Sequence, residues 1–195
     1  MTTATEAADV AREIDSRQRL LDVAVALFIR HSYAGTSLQM IADELGFTKA
    51  AIYYHFRTRE QLLLAVLHPL LQQLRSVIET AERQRTTRAR AESMLNGYAE
   101  LVAASRSIAA VVTTDPSVIR VVREQPDWRD VIDRPVALLA EPTSGPAGVI
   151  AATAVLTGLA GAASGAPSEV DQDTLHRQLL DIGRRIIGLR KPRNP

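Results

Sequence analysis

Apolar positions recur at three- and four-residue steps along most of this chain, and no stretch alternates with period two. The pattern predicts an all-α protein of about nine helices, with three in a small N-terminal head and the rest in a larger bundle. Between Ile14 and His31, Leu20, Val23, Ala24, Leu27 and Phe28 mark one face of an amphipathic helix. Tyr33-Ala34-Gly35 ends it, with Gly35 as the residue suited to positive φ. A second helix follows, its apolar face made by Met40, Ile41 and Leu45. Thr36 is its expected N-cap, with Gln39 completing a capping box. Gly46 supplies the left-handed residue at its C-terminus. Thr48 then caps a short third helix. Ile52 and Phe56, one turn apart, anchor that helix inward, which leaves Lys49, Ala50, Tyr53, Tyr54 and His55 facing outward.

Thr58 and Gln61 form a further capping box, and Leu62, Leu63, Val66, Leu67, Leu70, Leu74 and Ile78 run as one stripe to about Glu82. Pro69 sits inside that stripe, removes a helical hydrogen bond and predicts a kink near residues 65–69. Arg83, Arg85, Arg88 and Arg90 read as a solvated helix end or loop. Ala91 to Ile108 carries another helical stripe. Asp115-Pro116 opens a helix, Asp127 caps the next, and Pro135 interrupts it or begins a new segment. Residues Gly148 to Ala163 are apolar nearly all round, so this helix is expected to be buried on most sides. The last helix starts at an Asp173 cap.

Thr36-Ser37, Ile41-Ala42, Gly46 and Ile52-Tyr53-Tyr54-His55-Phe56, at these spacings, resemble the DNA-binding domain of TetR-type (tetracycline-repressor-like) transcriptional regulators. Leu20-Leu21, Ala24, Leu27-Phe28 and Tyr33 resemble the first helix of that family. Arg59, Glu60, Leu62 and Leu63 resemble the start of its fourth, so the likeness spans residues 16–66. Two positions depart from the pattern: Ser32, where the family often has Gly, and Arg59, where Lys is commoner. By reach, and by the resemblance, Thr36, Ser37, Thr48, Tyr53, Tyr54, His55 and Arg59 are expected to touch phosphate or sugar. Lys49 and Ala50 are expected at base edges, with Gln39 as a weaker candidate. Small residues, hydroxyls and one cation at a helix start suit a DNA groove flanked by phosphates.

Charge and composition narrow the picture. The net charge of +1 over 195 residues puts any nucleic-acid contact in a local patch. The absence of cysteine excludes disulfides and thiolate metal sites and fits a reducing compartment. The four histidines, His31, His55, His68 and His176, have no ligand-like spacing, so neither metal nor cofactor is expected. Nucleophile-elbow, P-loop and H-E-x-x-H patterns are missing, which argues against an enzyme. No signal peptide is recognisable, and Val149 to Ala163 is shorter than the roughly 20 apolar residues of a membrane span. The expectation is a cytoplasmic protein.

The division expected is a disordered arm over residues 1–12, a helix-turn-helix head over 13–57, and an effector-binding and dimerisation domain over 58–195. A palindromic double-stranded operator calls for a homodimer. The two late helices offer its interface through Ala154, Gly158, Ala162, Leu175, Leu179, Ile182 and Ile186. The resemblance implies a small-molecule effector that releases DNA. Met94, Tyr98, Leu101, Val112, Val122, Trp128 and Val131 would line a pocket for an apolar one. The alternative is a helical ligand-binding or interaction module whose head no longer reads DNA.

Overall fold

The computed structural model describes residues 2–143 and 145–189; the side chains of residues 2–13 and of Thr114 are outside that description. Among the described residues there are ten helices and no strand. They are α1 (Thr2–Gly35), α2 (Leu38–Leu45), α3 (Lys49–His55), α4 (Arg59–Glu82), α5 (Thr87–Ala104), α6 (Arg106–Thr114), α7 (Pro116–Glu124), α8 (Arg129–Ala140), α9 (Pro146–Ser164) and α10 (Gln172–Ile186). The extra helix arises at Ser105, whose φ of −121° and ψ of 44° break the stripe of residues 91–108 into α5 and α6. The chain forms two compact units, Met1–Leu67 and His68–Pro195, divided inside α4.

In the first unit Leu20, Ala24, Leu27 and Phe28 of α1 are buried, together with Ile41 and Ala42 of α2, Ile52 of α3, and Leu62 and Leu63 of α4. The start of α4 thus belongs to the head core, beyond the boundary at residue 57 that the motif suggests. Helix α1 begins at Thr2 and covers the segment expected to be a disordered arm. Its Ala4, Ala7, Ala8 and Ala11 are strong helix formers.

The end of α1 differs from expectation. Gly35 keeps ordinary dihedrals, and Ser32 takes φ 61° and ψ 165° instead. That region is open essentially to glycine alone and costs other residues about 1–3 kcal/mol. Local bonds hold it: the Gly35 N–H donates to Ser32 Oγ at 3.2 Å, and the Thr36 hydroxyl donates to the Ser32 carbonyl at 2.8 Å.

In the second unit α5 packs against α8, α9 and α10, and α6 and α8 also pack against α9. Arg184 of α10 pairs with Glu92 near the start of α5, while Arg106 at the start of α6 donates to the Pro167 and Val170 carbonyls before α10. These two ties run α10 antiparallel to α5. Gly183 permits the contact between them, because a Cβ there would lie 2.5 Å from Leu95 Cδ1.

Several caps move by a residue or two. Asp171 rather than Asp173 caps α10, accepting from the Thr174 N–H at 2.8 Å. Helix α8 starts after Trp128 without a side-chain cap, and continues through Pro135. Helix α4 likewise runs unbroken through Pro69. Helix α9 is the largest departure. It is long and apolar enough by length and composition to cross a membrane, yet only about a third of it is buried. Its contacts are those of a bundle helix, with one side left open.

Arg134 of α8 grips Glu82 through two hydrogen bonds, at 3.0 and 2.6 Å, and donates to Asp130 at 2.8 Å. The hydrogen bonds from Arg134 are the main cause holding both carboxyls below their ordinary values.

Two outcomes follow from these features. Replacing Ser32 by Gly relieves the strained dihedrals and should raise stability by about 1 kcal/mol, or roughly 2–4 °C in Tm, by thermal denaturation. Because Glu82 and Asp130 are depressed in the fold, their contribution is present above the ordinary values of 4.5 and 3.8 and is lost as pH falls through the lower folded values. Arg134→Ala should therefore flatten the acid-side loss of stability in denaturant titrations between pH 5 and 3, modestly, since both carboxylates are partly exposed.

Candidate nucleic-acid interface

The site is built from two short helices that cannot stand alone. Ser37 is the N-cap of α2: its backbone is extended, and its Oγ accepts from the Met40 N–H at 3.2 Å. Thr36 does not serve as the cap, because its hydroxyl is buried and donates to the Leu27 and Ser32 carbonyls at 3.2 and 2.8 Å. The Gln39 amide reaches Asp43 at 2.7 Å rather than closing a capping box. Gly46, at φ 67°, ends α2 and donates to the Ala42 and Asp43 carbonyls, and the Phe47 N–H adds a bond to Ala42 at 2.9 Å. That closure turns the chain within two residues to Thr48, whose Oγ1 accepts from the Ala51 N–H at 3.2 Å to open α3.

Burial decides which face of α3 is presented. Ile52 and Phe56 are in the core, while Lys49 and Ala50 are exposed. Tyr53 is 44% exposed and Tyr54 75%. The Lys49 ammonium lies 5.7 Å from the centre of the Tyr53 ring, and Tyr54 meets His55 edge to face at 5.2 Å. Ser37, Gln39 and Thr48 are also exposed, and His55 is half-buried. Most of the residues expected to contact DNA are therefore exposed to solvent.

Two of them it assigns elsewhere. The Thr36 hydroxyl is inside the head. Arg59 is drawn back onto the end of α1, where one guanidinium nitrogen donates to the carbonyls of Tyr33, Ala34 and Thr36 at 3.2, 2.8 and 3.0 Å. The same guanidinium lies 4.4 Å from the Tyr33 ring centre. The Tyr33 hydroxyl donates to Glu60 at 3.2 Å. Burial pushes the Tyr33 phenol above its ordinary value. The Glu60 carboxyl is held below its own, first by its own backbone N–H. This polar knot joins the start of α4 to the end of α1 within the head.

One cation near the surface was not expected. Arg17 of α1 is exposed, and its guanidinium lies 5.4 Å from the centre of the Phe56 ring at the end of α3. Its signal in the sequence is its place three residues before Leu20 and seven before Ala24, on the same helical face.

Residues 20–66 match the family model of bacterial regulatory proteins, tetR family. Over those residues the chain carries a TetR-type N-terminal domain. Over 52 residues it is 40% identical to a probable acrEF/envCD operon repressor of Escherichia coli, covering 27% of this chain and 24% of that one. The matched segment spans between 18% and 28% of the first curated relatives. The fold likeness reaches further. The ketosteroid transcriptional regulator KstR2 of Mycobacterium tuberculosis aligns over 89% of this chain and 93% of its own, at 17% identity and a TM-score of 0.63. FadR of Bacillus subtilis, solved in complex with stearoyl-CoA, aligns over 85% of this chain and 96% of its own, at 15% identity and a TM-score of 0.58. At such identities the likeness shows the fold, a TetR-type head followed by a helical C-terminal domain. The family is one of regulators rather than enzymes.

The C-terminal candidates divide in a similar way. Met94, Leu101, Val122 and Val131 are buried, and Val112 is half-buried. The Tyr98 hydroxyl donates to the Leu156 carbonyl of α9 at 2.8 Å, and burial pushes its phenol far up. Trp128 packs on α4 instead, between the edge of His68 at 5.4 Å and the guanidinium of Arg75 at 4.4 Å. Of the interface candidates, Ala154, Gly158, Ala162, Ile182 and Ile186 are exposed. Leu175 and Leu179 are not available to an interface: both are buried on the inner face of α10, in the core of the chain itself.

Proposed function

We propose that this chain is a cytoplasmic, ligand-responsive transcriptional repressor that binds a palindromic DNA site as a homodimer and is released by a small apolar effector. The observation that carries this is the outward face of α3. A helix anchored by Ile52 and Phe56 leaves Lys49, Ala50, Tyr53 and Tyr54 to solvent. Exposed tyrosines beside a lysine on a capped helix after a tight turn suit a major groove, with Lys49 and Ala50 toward bases and the hydroxyls toward phosphates.

Support for the dimer comes from α9 and α10. Val149 and Ile150 are 50% and 69% exposed, and the stripe continues through Ala154, Gly158 and Ala162. A Cβ added at Gly158 or Gly161 would meet nothing within 4 Å, so their smallness is not required by packing within the subunit. Ile182 and Ile186 of α10 add exposed apolar surface. A second copy related by two-fold symmetry would cover this surface with its own equivalent. Two heads would also double the few phosphate contacts that one lightly charged head can make.

An apolar effector fits the buried aliphatic residues of α5, α7 and α8. Regulators of the same fold are named for a ketosteroid, whose ring system is apolar, or solved with stearoyl-CoA, which carries an apolar acyl chain on a charged coenzyme.

Two measurements test the reading. Lys49→Ala combined with Tyr54→Ala should abolish retention of a selected duplex in a gel shift while leaving the oligomer unchanged; retention by the double variant would refute the assignment of α3. Ile150→Arg should convert the dimer to monomers in sedimentation velocity, and an unaltered sedimentation coefficient would place the interface elsewhere.

A further inference from the structure

We propose that Arg17 is a phosphate anchor of the head, a contact made from α1 at the C-terminal end of the reading helix. The inference rests on the DNA reading of α3 and adds a residue and a chemistry to it. Arg17 falls on the face of α1 that buries Leu20, Ala24 and Phe28. It is the point where that face leaves the core, and a cation stands there in place of another hydrophobe. The Phe56 ring holds the guanidinium 5.4 Å from its centre, so the charge is located beside α3 rather than swinging free. Arg17 stays exposed there. No carboxylate among the described residues pairs with it. Asp15, two residues earlier, lies about 200° away round the helix. Asp22 accepts from Gln18 at 2.9 Å.

The dimensions place such a charge at a phosphate. Seven residues of α3 are about 10 Å long, and a major groove is roughly 12 Å wide. A helix with its first residues on base edges therefore brings its last turn to the phosphate wall. Arg17 and Arg57 flank Phe56 at that end. From Ile14 to Phe56 the chain has only Arg17, Arg19, Arg30 and Lys49 as permanent cations, so one anchored arginine is a large share of the available charge. A guanidinium also offers planar, paired donors to phosphate oxygens.

The test measures association of the full-length dimer with a selected duplex and with a duplex of unrelated sequence, each across a salt series. Arg17→Gln should lower the slope of log K against log salt by about 0.9 per head, hence roughly 1.8 for two heads. It should also weaken both duplexes by the same factor, because phosphate contacts carry no sequence information. Arg17→Lys should restore most of the slope. A purely structural Arg17 would give a lower Tm with an unchanged salt slope, and that result would overturn the proposal. If the wild-type chain bound duplex DNA without salt dependence, the DNA reading itself would fall, and the role of Arg17 with it.

Discussion

A helix of seven residues does not hold itself together in water, where even good helix formers need about 12–15 residues. Helix α3 is that short, and everything proposed for the head depends on its being held. Two pairs of residues supply the hold. Thr48 and the left-handed Gly46 set where the helix begins, and Ile52 with Phe56 set which way it faces. Once the two anchors are inside, the helical period leaves Lys49, Tyr53 and Tyr54 outside. The surface proposed to meet DNA is thus a by-product of core packing, and its rigidity is borrowed from α1, α2 and the first turns of α4.

Arginines do much of the joining. Arg59 collects three carbonyls at the end of α1, and Arg106 collects two before α10. Helix ends leave their last carbonyls without helical partners, and a forked guanidinium can serve several at once. An arginine near a reading helix is for this reason ambiguous in the sequence. Arg59 turned out to be occupied with backbone, while Arg17 lies over an aromatic ring and has no carboxylate paired with it among the described residues.

The C-terminal unit shows the same tension between pattern and packing. Helix α9 has no polar face, which by itself suits a buried helix. Its neighbours in the bundle cover Ala152, Val155, Leu159 and Ala163 and leave Ile150, Ala154 and Gly158 open. A helix apolar nearly all round but covered on only some sides is what the proposed pairing with a second copy would use. In α10 the outcome is the reverse. Leu175 and Leu179 are spent on the interior, and the exposed apolar residues are Ile182 and Ile186.

The helices, the turn at Gly46 and the outward set on α3 were legible from periodicity, caps and one glycine, because these depend on residues three or four apart. Which of two adjacent hydroxyls would cap α2 was not legible. Thr36 and Ser37 are chemically alike, and only the carbonyls of Ser32 and Leu27, brought close by the strained end of α1, drew Thr36 inward. The partner of Arg59 lies some 25 residues away in the chain, the tie from Arg184 to Glu92 spans 92, and Trp128 found its place on α4. Those pairings depend on how helices cross. A local pattern states which face of each helix is apolar, and tertiary packing alone decides which of those faces remains uncovered.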